Sequence, residues 1–118
     1  MKKILILGTA LLCGFLCRVA AQGVEFRDLT FGQALEQART ENKLVFMDCY
    51  TSWCGPCKNM LKNVFTLPEA GEFMNAHFVC VKYDMEKGEG IGLKKQFAVR
   101  AFPTFFIIRP DGTVQHRL

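Results

Sequence analysis

The sequence has few of the residues that mark metal centres or membrane spans. Its 118 residues include two histidines and a single C-x-x-C motif, whereas a structural zinc site needs four closely spaced Cys or His ligands. The longest apolar run, Ile4–Leu16, is shorter than the ~20 residues of a spanning helix. No internal repeat is present either. The sequence therefore favours one small domain with no metal, no cofactor and no permanent membrane span.

Acidic residues are missing from the first 21 positions, which hold three of the 15 basic residues. The rest of the chain carries 12 basic and 11 acidic residues, so its net charge is close to neutral. A nucleic-acid-binding domain needs a basic surface that neutralises phosphates. We therefore expect no nucleic-acid partner.

The same 21 residues have the three parts of a secretory signal. A positively charged start precedes the apolar run, and small residues (Val-Ala-Ala) precede a cleavage point before Gln22. We predict a signal peptide over residues 1–21, one domain over residues 22–118, and a periplasmic or otherwise extracytoplasmic location. A lipid on Cys13 or Cys17 is the alternative, and it would keep the protein on the membrane.

The rest of the chain is rich in apolar residues, enough for one modest core. Two segments, Thr30–Gln33 and Thr66–Glu69, match the capping box that begins a helix. Strands that alternate with helices imply parallel crossovers, and a final hairpin adds an antiparallel edge, so we predict an α/β fold with a central mixed sheet flanked by helices. The predicted elements are a short strand 24–26, a helix from Thr30 to Asn42, a strand 44–50, helices 54–65 and 66–76, a strand 78–84, a helix 91–97, a strand 104–108 and a hairpin turn at 110–112.

Cys54-Gly55-Pro56-Cys57 directly follows a buried strand and begins a predicted helix. Disulfide exchange needs a thiolate, and a free thiol is mostly protonated at neutral pH. The N–H groups and the dipole of a helix N-terminus favour a negative sulfur. Cys54 lies at the helix start, where it can be exposed, and Cys57 lies one turn further, where it is shielded. We predict that Cys54 attacks a disulfide and Cys57 resolves the mixed disulfide; the alternative is an inert disulfide clip or a pair of buried thiols.

The motif and its surroundings resemble the thioredoxin family. The run Trp53–Lys58 (WCGPCK) is similar to the active-site signature of that family, and three further positions match it independently. Asp48 matches a buried carboxylate behind the resolving cysteine, Lys82 matches the lysine partner of that carboxylate, and Pro103 matches a cis-proline that faces the cysteines. The resemblance covers about residues 30–118 and implies a thioredoxin-like fold.

Within that family, segments 43–48 and 64–68 are similar to the soluble C-terminal domain of the thiol:disulfide interchange protein. The sequence departs from the family at its end. Leu118 falls inside the expected second strand of the hairpin, and the closing helix of the family has no counterpart. We therefore expect a C-terminal hairpin truncated before the last helix, with an uncovered sheet edge.

The resemblance also implies roles for side chains around the cysteines. A carboxylate in an apolar strand has a raised pKa, so Asp48 could accept the Cys57 proton; alternatively, it is only a structural partner of Lys82. A cis-proline leaves the backbone of the preceding residue free to pair with an extended substrate, although a simple kink at the strand start is the alternative. The expected substrate-binding residues are Trp53, Gly55, Pro56, Phe102 and Pro103.

Cys49 and Cys80 are the two other cysteines beyond the leader. Alternate residues of a strand face opposite sides of the sheet. If Asp48 and Lys82 share a face, Cys80 lies on that face and Cys49 on the other. We therefore expect two buried free thiols and no disulfide between them.

The combined features predict an exported thioredoxin-like thiol–disulfide oxidoreductase that acts as a protein-disulfide reductase. The Gly-Pro pair between the cysteines resembles the reducing members of the family. The expected partners are disulfide-containing client proteins and a membrane-bound thiol that donates electrons, and the expected state is a monomer. A disulfide oxidase or isomerase of the same fold is the first alternative, and a non-catalytic binding domain is the second.

Overall fold

The computed structural model describes residues 22–118, so the predicted signal peptide and the cysteines at 13 and 17 lie outside the described residues. From the first helix onward the element order agrees with the prediction, and the three long strands have the predicted bounds. In chain order the elements are α1 (Phe31–Glu41), β1 (Leu44–Tyr50), α2 (Gly55–Asn63), α3 (Pro68–His77), β2 (Phe78–Asp84), α4 (Gly90–Gln96), β3 (Thr104–Ile108) and β4 (Val114–Arg117).

β1 lies inside the sheet because its side chains are apolar on both faces. The sheet order is β2-β1-β3-β4; β2 is parallel to β1, whereas β3 is antiparallel to β1 and β4 to β3. Met47 and its neighbours on one face pack against residues of α1 and α4. Phe46 and its neighbours on the other face pack against residues of α2 and α3. The result is the predicted mixed sheet with helices on both sides.

One of the two predicted capping boxes is present. Thr30 caps α1: its hydroxyl accepts from the Gln33 N–H at 3.1 Å, and the Gln33 side chain accepts from the Thr30 N–H. The prediction of the second capping box is wrong. α3 begins after Leu67 without a side-chain cap, because the Thr66 hydroxyl donates to the Lys62 carbonyl at 2.7 Å instead.

The predicted strand 24–26 is also wrong, since only a single parallel bridge joins Phe26 to Cys80. This segment is nonetheless packed closely against the helices. A side chain at Gly71 would put its Cβ 2.0 Å from the carbonyl oxygen of Gln22, so α3 and the lead-in segment touch through backbone. Gln22 and Gly23 are therefore packed against α3.

Within residues 22–118, no helix is long and apolar enough to cross a membrane. That part of the chain also contains no group of three or more His, Cys, Asp or Glu side chains placed to hold a metal ion.

Candidate active site

The cysteine motif lies at the end of the sheet where β1 finishes. β1 is parallel to β2, with Tyr50 opposite Asp84, and antiparallel to β3, with Cys49 opposite Thr104. The chain therefore leaves β1 toward the motif and enters β3 from Pro103 at the same sheet end. This pairing brings the C-x-x-C motif close to the predicted cis-proline, although the two lie far apart in sequence.

Cys54 and Cys57 form a disulfide at the N-terminus of α2, with their Cα atoms 5.3 Å apart. Cys54 is the N-cap residue, and its Sγ accepts a hydrogen bond from the Cys57 backbone N–H at 3.1 Å. Gly55 and Pro56 form the exposed start of the helix, where proline is well suited because the first N–H groups need no partner within the helix. An N–H donor and the positive end of the helix both favour a thiolate at Cys54 after reduction.

The predicted difference in exposure between the two cysteines is wrong for the disulfide form. Each residue is only 3% exposed, because the disulfide ties the Cys54 Sγ over the first turn of α2. Their positions still differ, since Cys54 precedes the helix and Cys57 lies within its first turn. The assignment of attack to Cys54 therefore rests on the helix start and not on exposure.

Trp53 and Phe102 form an aromatic contact beside the disulfide. Their rings meet edge to face with centroids 6.0 Å apart, and Trp53 is 65% exposed. Because Trp53 precedes Cys54 and Phe102 precedes Pro103, the contact joins the motif to the start of β3. The Phe102–Pro103 peptide bond is cis, as the resemblance implied. An exposed aromatic surface thus borders the cysteine pair.

Glu86 is a member of this site that sequence patterns missed. Trp53 Nε1 donates to Glu86 Oε1 at 2.6 Å, which holds the indole ring in place. Glu86 lies two residues after the end of β2. Because β2 is parallel to β1, the two strands finish at the same end of the sheet. That topology would have placed Glu86 near the motif, but only the side-chain geometry shows its bond to Trp53.

Asp48 is a buried carboxyl group with a free oxygen. It is 2% exposed, and its Oδ1 has no hydrogen-bond partner within residues 22–118. Burial raises the pKa of Asp48 to about 7, although attraction to Lys82 acts in the opposite direction. A group with a pKa near 7 can both bind and release a proton at neutral pH, which is what a proton acceptor requires.

Lys82 does not form the ion pair with Asp48 that the sequence suggested. The two residues are direct neighbours in the β1–β2 register and share a face, but the ion pairs of residues 22–118 all involve Glu41. β2 is an edge strand, and the exposed Lys82 places its Nζ near the rings of Phe26 and Tyr50. Lys82 therefore acts on Asp48 through space and leaves the carboxyl group unpaired.

Cys49 and Cys80 are buried free thiols on opposite faces of the sheet, as predicted. Burial raises the pKa of each thiol to about 12; the negative charge of Asp48 adds to the rise at Cys49, and Arg27 and Lys43 oppose it at Cys80. Both cysteines are protonated at neutral pH and are poor nucleophiles. Among the cysteines of residues 22–118, the reactive sulfur chemistry therefore belongs to the Cys54–Cys57 pair.

Comparison with known proteins places this site in a family. The family model Thioredox_DsbH, described as a protein of unknown function (DUF255), matches residues 10–101. Thioredoxin-1 of Drosophila yakuba is 35% identical over 95 residues, which cover 75% of this chain and 82% of that protein. The chain belongs to the thioredoxin-like family. It is a thiol–disulfide oxidoreductase of that family, with Cys54 and Cys57 as its disulfide pair.

Two further thioredoxin-like relatives come from bacteria. The solution structure of a Bacteroides thetaiotaomicron protein, provisionally described as a disulphide-isomerase, is 48% identical with a TM-score of 0.74 and covers 82% of this chain and 80% of its own. The thiol:disulfide interchange protein DsbD of Pseudomonas fluorescens is 31% identical over 81 residues, which are 68% of this chain but 14% of that protein. This thioredoxin-like chain is therefore similar to a small part of the interchange protein, in agreement with the resemblance found in its sequence.

Proposed function

We propose that the protein is an exported reductant of protein disulfides. The observation that carries this proposal is the Cys54–Cys57 disulfide at the N-terminus of α2, bordered by the exposed Trp53. Gly55 and Pro56 between the cysteines are the residues that resemble the reducing members of the family. The similarity of the chain to thioredoxins supports the same direction.

The reaction begins with the reduced pair. The Cys54 thiolate forms a bond to one sulfur of a client disulfide, and the other client sulfur leaves as a thiolate that takes a proton from solvent. Asp48 accepts the proton of Cys57, whose thiolate then attacks the Cys54 Sγ and releases the second client thiol. The client gains two electrons, and the Cys54–Cys57 disulfide is the oxidised product.

A reductant outside the cytoplasm must be reduced again after each cycle. We propose that a membrane-bound thiol donates the two electrons by exchange with the Cys54–Cys57 disulfide. The similarity to part of a thiol:disulfide interchange protein supports this class of donor. The clients are proteins with accessible disulfides.

We expect the reduction potential of residues 22–118 to be close to that of thioredoxin, about −270 mV. The measurement is equilibration with glutathione or dithiothreitol buffers, followed by alkylation and mass analysis of the Cys54–Cys57 pair. The disulphide-isomerase description of the Bacteroides relative favours a second candidate function, an isomerase. A potential near about −180 mV would support that function and overturn the reductase.

We expect the protein produced from its full sequence in a bacterial host to be found outside the cytoplasm, with Gln22 as its first residue. The small residues Val19, Ala20 and Ala21 support this expectation, because they follow the apolar run at the place where a signal peptide is cleaved. Cell fractionation and intact-mass analysis test it. A retained Met1 or a lipid on Cys13 or Cys17 would show that the protein stays attached to the membrane.

A further inference from the structure

A cavity of about 530 Å³ opens on the surface beside Trp53. Its walls come from the residues that follow β2, from α4, and from the segment between α4 and Pro103. Ile91 and Val99 give the cavity an apolar part, and Ile91 is 49% exposed. The charged residues that line it are Glu86, Lys94, Lys95 and Arg100.

Two contacts connect this cavity to the cysteine motif. Glu86 accepts the hydrogen bond of the Trp53 indole at 2.6 Å. Lys94 places its Nζ 6.0 Å from the centre of the Phe102 ring, and that ring packs against Trp53. Because Trp53 directly precedes Cys54, a polypeptide whose disulfide reaches Cys54 passes close to the cavity.

The charges of the cavity do not cancel. Lys94, Lys95 and Arg100 are exposed, and none of them forms an ion pair within residues 22–118. Among residues 22–118, Glu86 is the only acidic residue of the lining, and it is already bonded to Trp53. The whole domain has nearly equal numbers of basic and acidic residues, so the three cations are a local excess.

We propose that this cavity binds an acidic segment of the client protein and selects disulfides that have Asp or Glu beside the cysteine. An acidic side chain of the client pairs with Lys94, Lys95 and Arg100 while an adjacent apolar side chain rests on Ile91. Complementary charge at such a site raises the rate of encounter and rejects clients of the opposite charge. This inference rests on the proposed reductase function and names its substrate class.

The test uses three peptides of equal length, each with one disulfide whose flanking residues are Asp, Asn or Lys. Residues 22–118 in reduced form react with each peptide under single-turnover conditions, and the second-order rate constant is measured. We expect the Asp peptide to react about five- to tenfold faster than the Asn peptide at low salt, and the Lys peptide to react slowest. The preference should shrink at about 0.5 M NaCl, where the screening length is only a few ångströms.

The variant Lys94→Gln/Lys95→Gln should lose the preference, so that the Asp and Asn peptides react at similar rates. The matched control, Arg39→Gln/Lys62→Gln, removes the same charge from α1 and α2 and should keep the preference. Equal rates for all three peptides, or equal loss in both variants, would overturn the acidic-client inference alone. Failure to reduce any of the peptides would instead overturn the proposed reductase function.

Discussion

Replacement of Cys54 by serine is expected to abolish disulfide reduction, with a loss of at least about a thousandfold, because the hydroxyl cannot replace the attacking thiolate. The variant Cys57→Ser should still attack, because Cys54 keeps its place before the first turn of α2. Without a resolving thiol, the mixed disulfide between Cys54 and the client should accumulate. Nonreducing electrophoresis and mass analysis with a protein disulfide as substrate will detect this product.

Cys80→Ala is the matched control for these variants. Cys80 is a buried thiol whose pKa is raised to about 12 by burial, so its removal should leave the reduction rate unchanged. Mapping with iodoacetamide at neutral pH gives an independent check of the nucleophile, since the thiolate reacts first. Preferential labelling of Cys57 in the reduced wild-type protein would contradict the assignment of attack to Cys54.

Replacement of Asp48 by asparagine is expected to slow resolution of the mixed disulfide by about a hundredfold at pH 7. Asp48 has a pKa of about 7 and a free Oδ1, so its ionised form is available to take the proton of Cys57. At pH 9 the defect should shrink, because more of Cys57 ionises without help. Attack by Cys54 should change less, because the helix terminus activates it. Stopped-flow measurements from pH 6 to 9 separate the two steps.

The same substitution is expected to stabilise the fold, and the gain should depend on pH. In the unfolded chain Asp48 ionises near its ordinary pKa of about 3.9, whereas the folded protein holds the proton until about pH 7. Between these values the unfolded state has released a proton that the folded state still binds, so rising pH destabilises the wild-type protein. An asparagine side chain does not ionise and carries no such cost. The advantage of the variant should be nearly absent near pH 4 and reach on the order of 4 kcal/mol above pH 7.

Urea denaturation at pH 5 and pH 8 measures this difference. If Asp48 were instead a structural partner of Lys82, the asparagine variant would be destabilised at both pH values and its resolution rate would show no special pH dependence. Lys82→Gln provides the second control. It removes the positive charge that lowers the pKa of Asp48, so the pH profile of the resolution rate should move to higher pH. The ion-pair hypothesis instead predicts only a loss of stability.

Local patterns in the sequence were sufficient for most of the fold and for the identity of the reactive residues. The apolar run Leu44–Tyr50 predicted a strand buried on both faces, and burial on both sides of the sheet is what the structure shows. The C-x-x-C motif comes directly after this strand, and the sequence therefore predicted that its first cysteine lies at the start of a helix. These features depend on residues close together in the chain, where spacing and residue type decide the conformation.

Local sequence patterns gave wrong predictions where the same residues could adopt two different local arrangements. Thr66–Glu69 has the residues of a capping box, but the Thr66 hydroxyl had a nearer acceptor at the end of the preceding helix. The prediction that Cys54 is exposed was wrong. The disulfide spans one helical turn and places the Cys54 sulfur over the helix, and residue spacing alone does not reveal this position.

The sequence by itself determined the chemistry of this protein: a thiol pair at a helix N-terminus, a carboxylate in the strand before it, and a proline at the start of a later strand. Only the tertiary structure decided where the surrounding charged side chains lie and which groups they contact. Strand pairing made Asp48 and Lys82 neighbours, but the exposed Lys82 places its Nζ near aromatic rings, and within residues 22–118 it forms no ion pair with Asp48. The same pairing set Glu86 against Trp53 and left Lys94 and Arg100 beside the site. The physical reason is that charge interactions depend on distance and burial in space, and strand register fixes both for residues far apart in the chain.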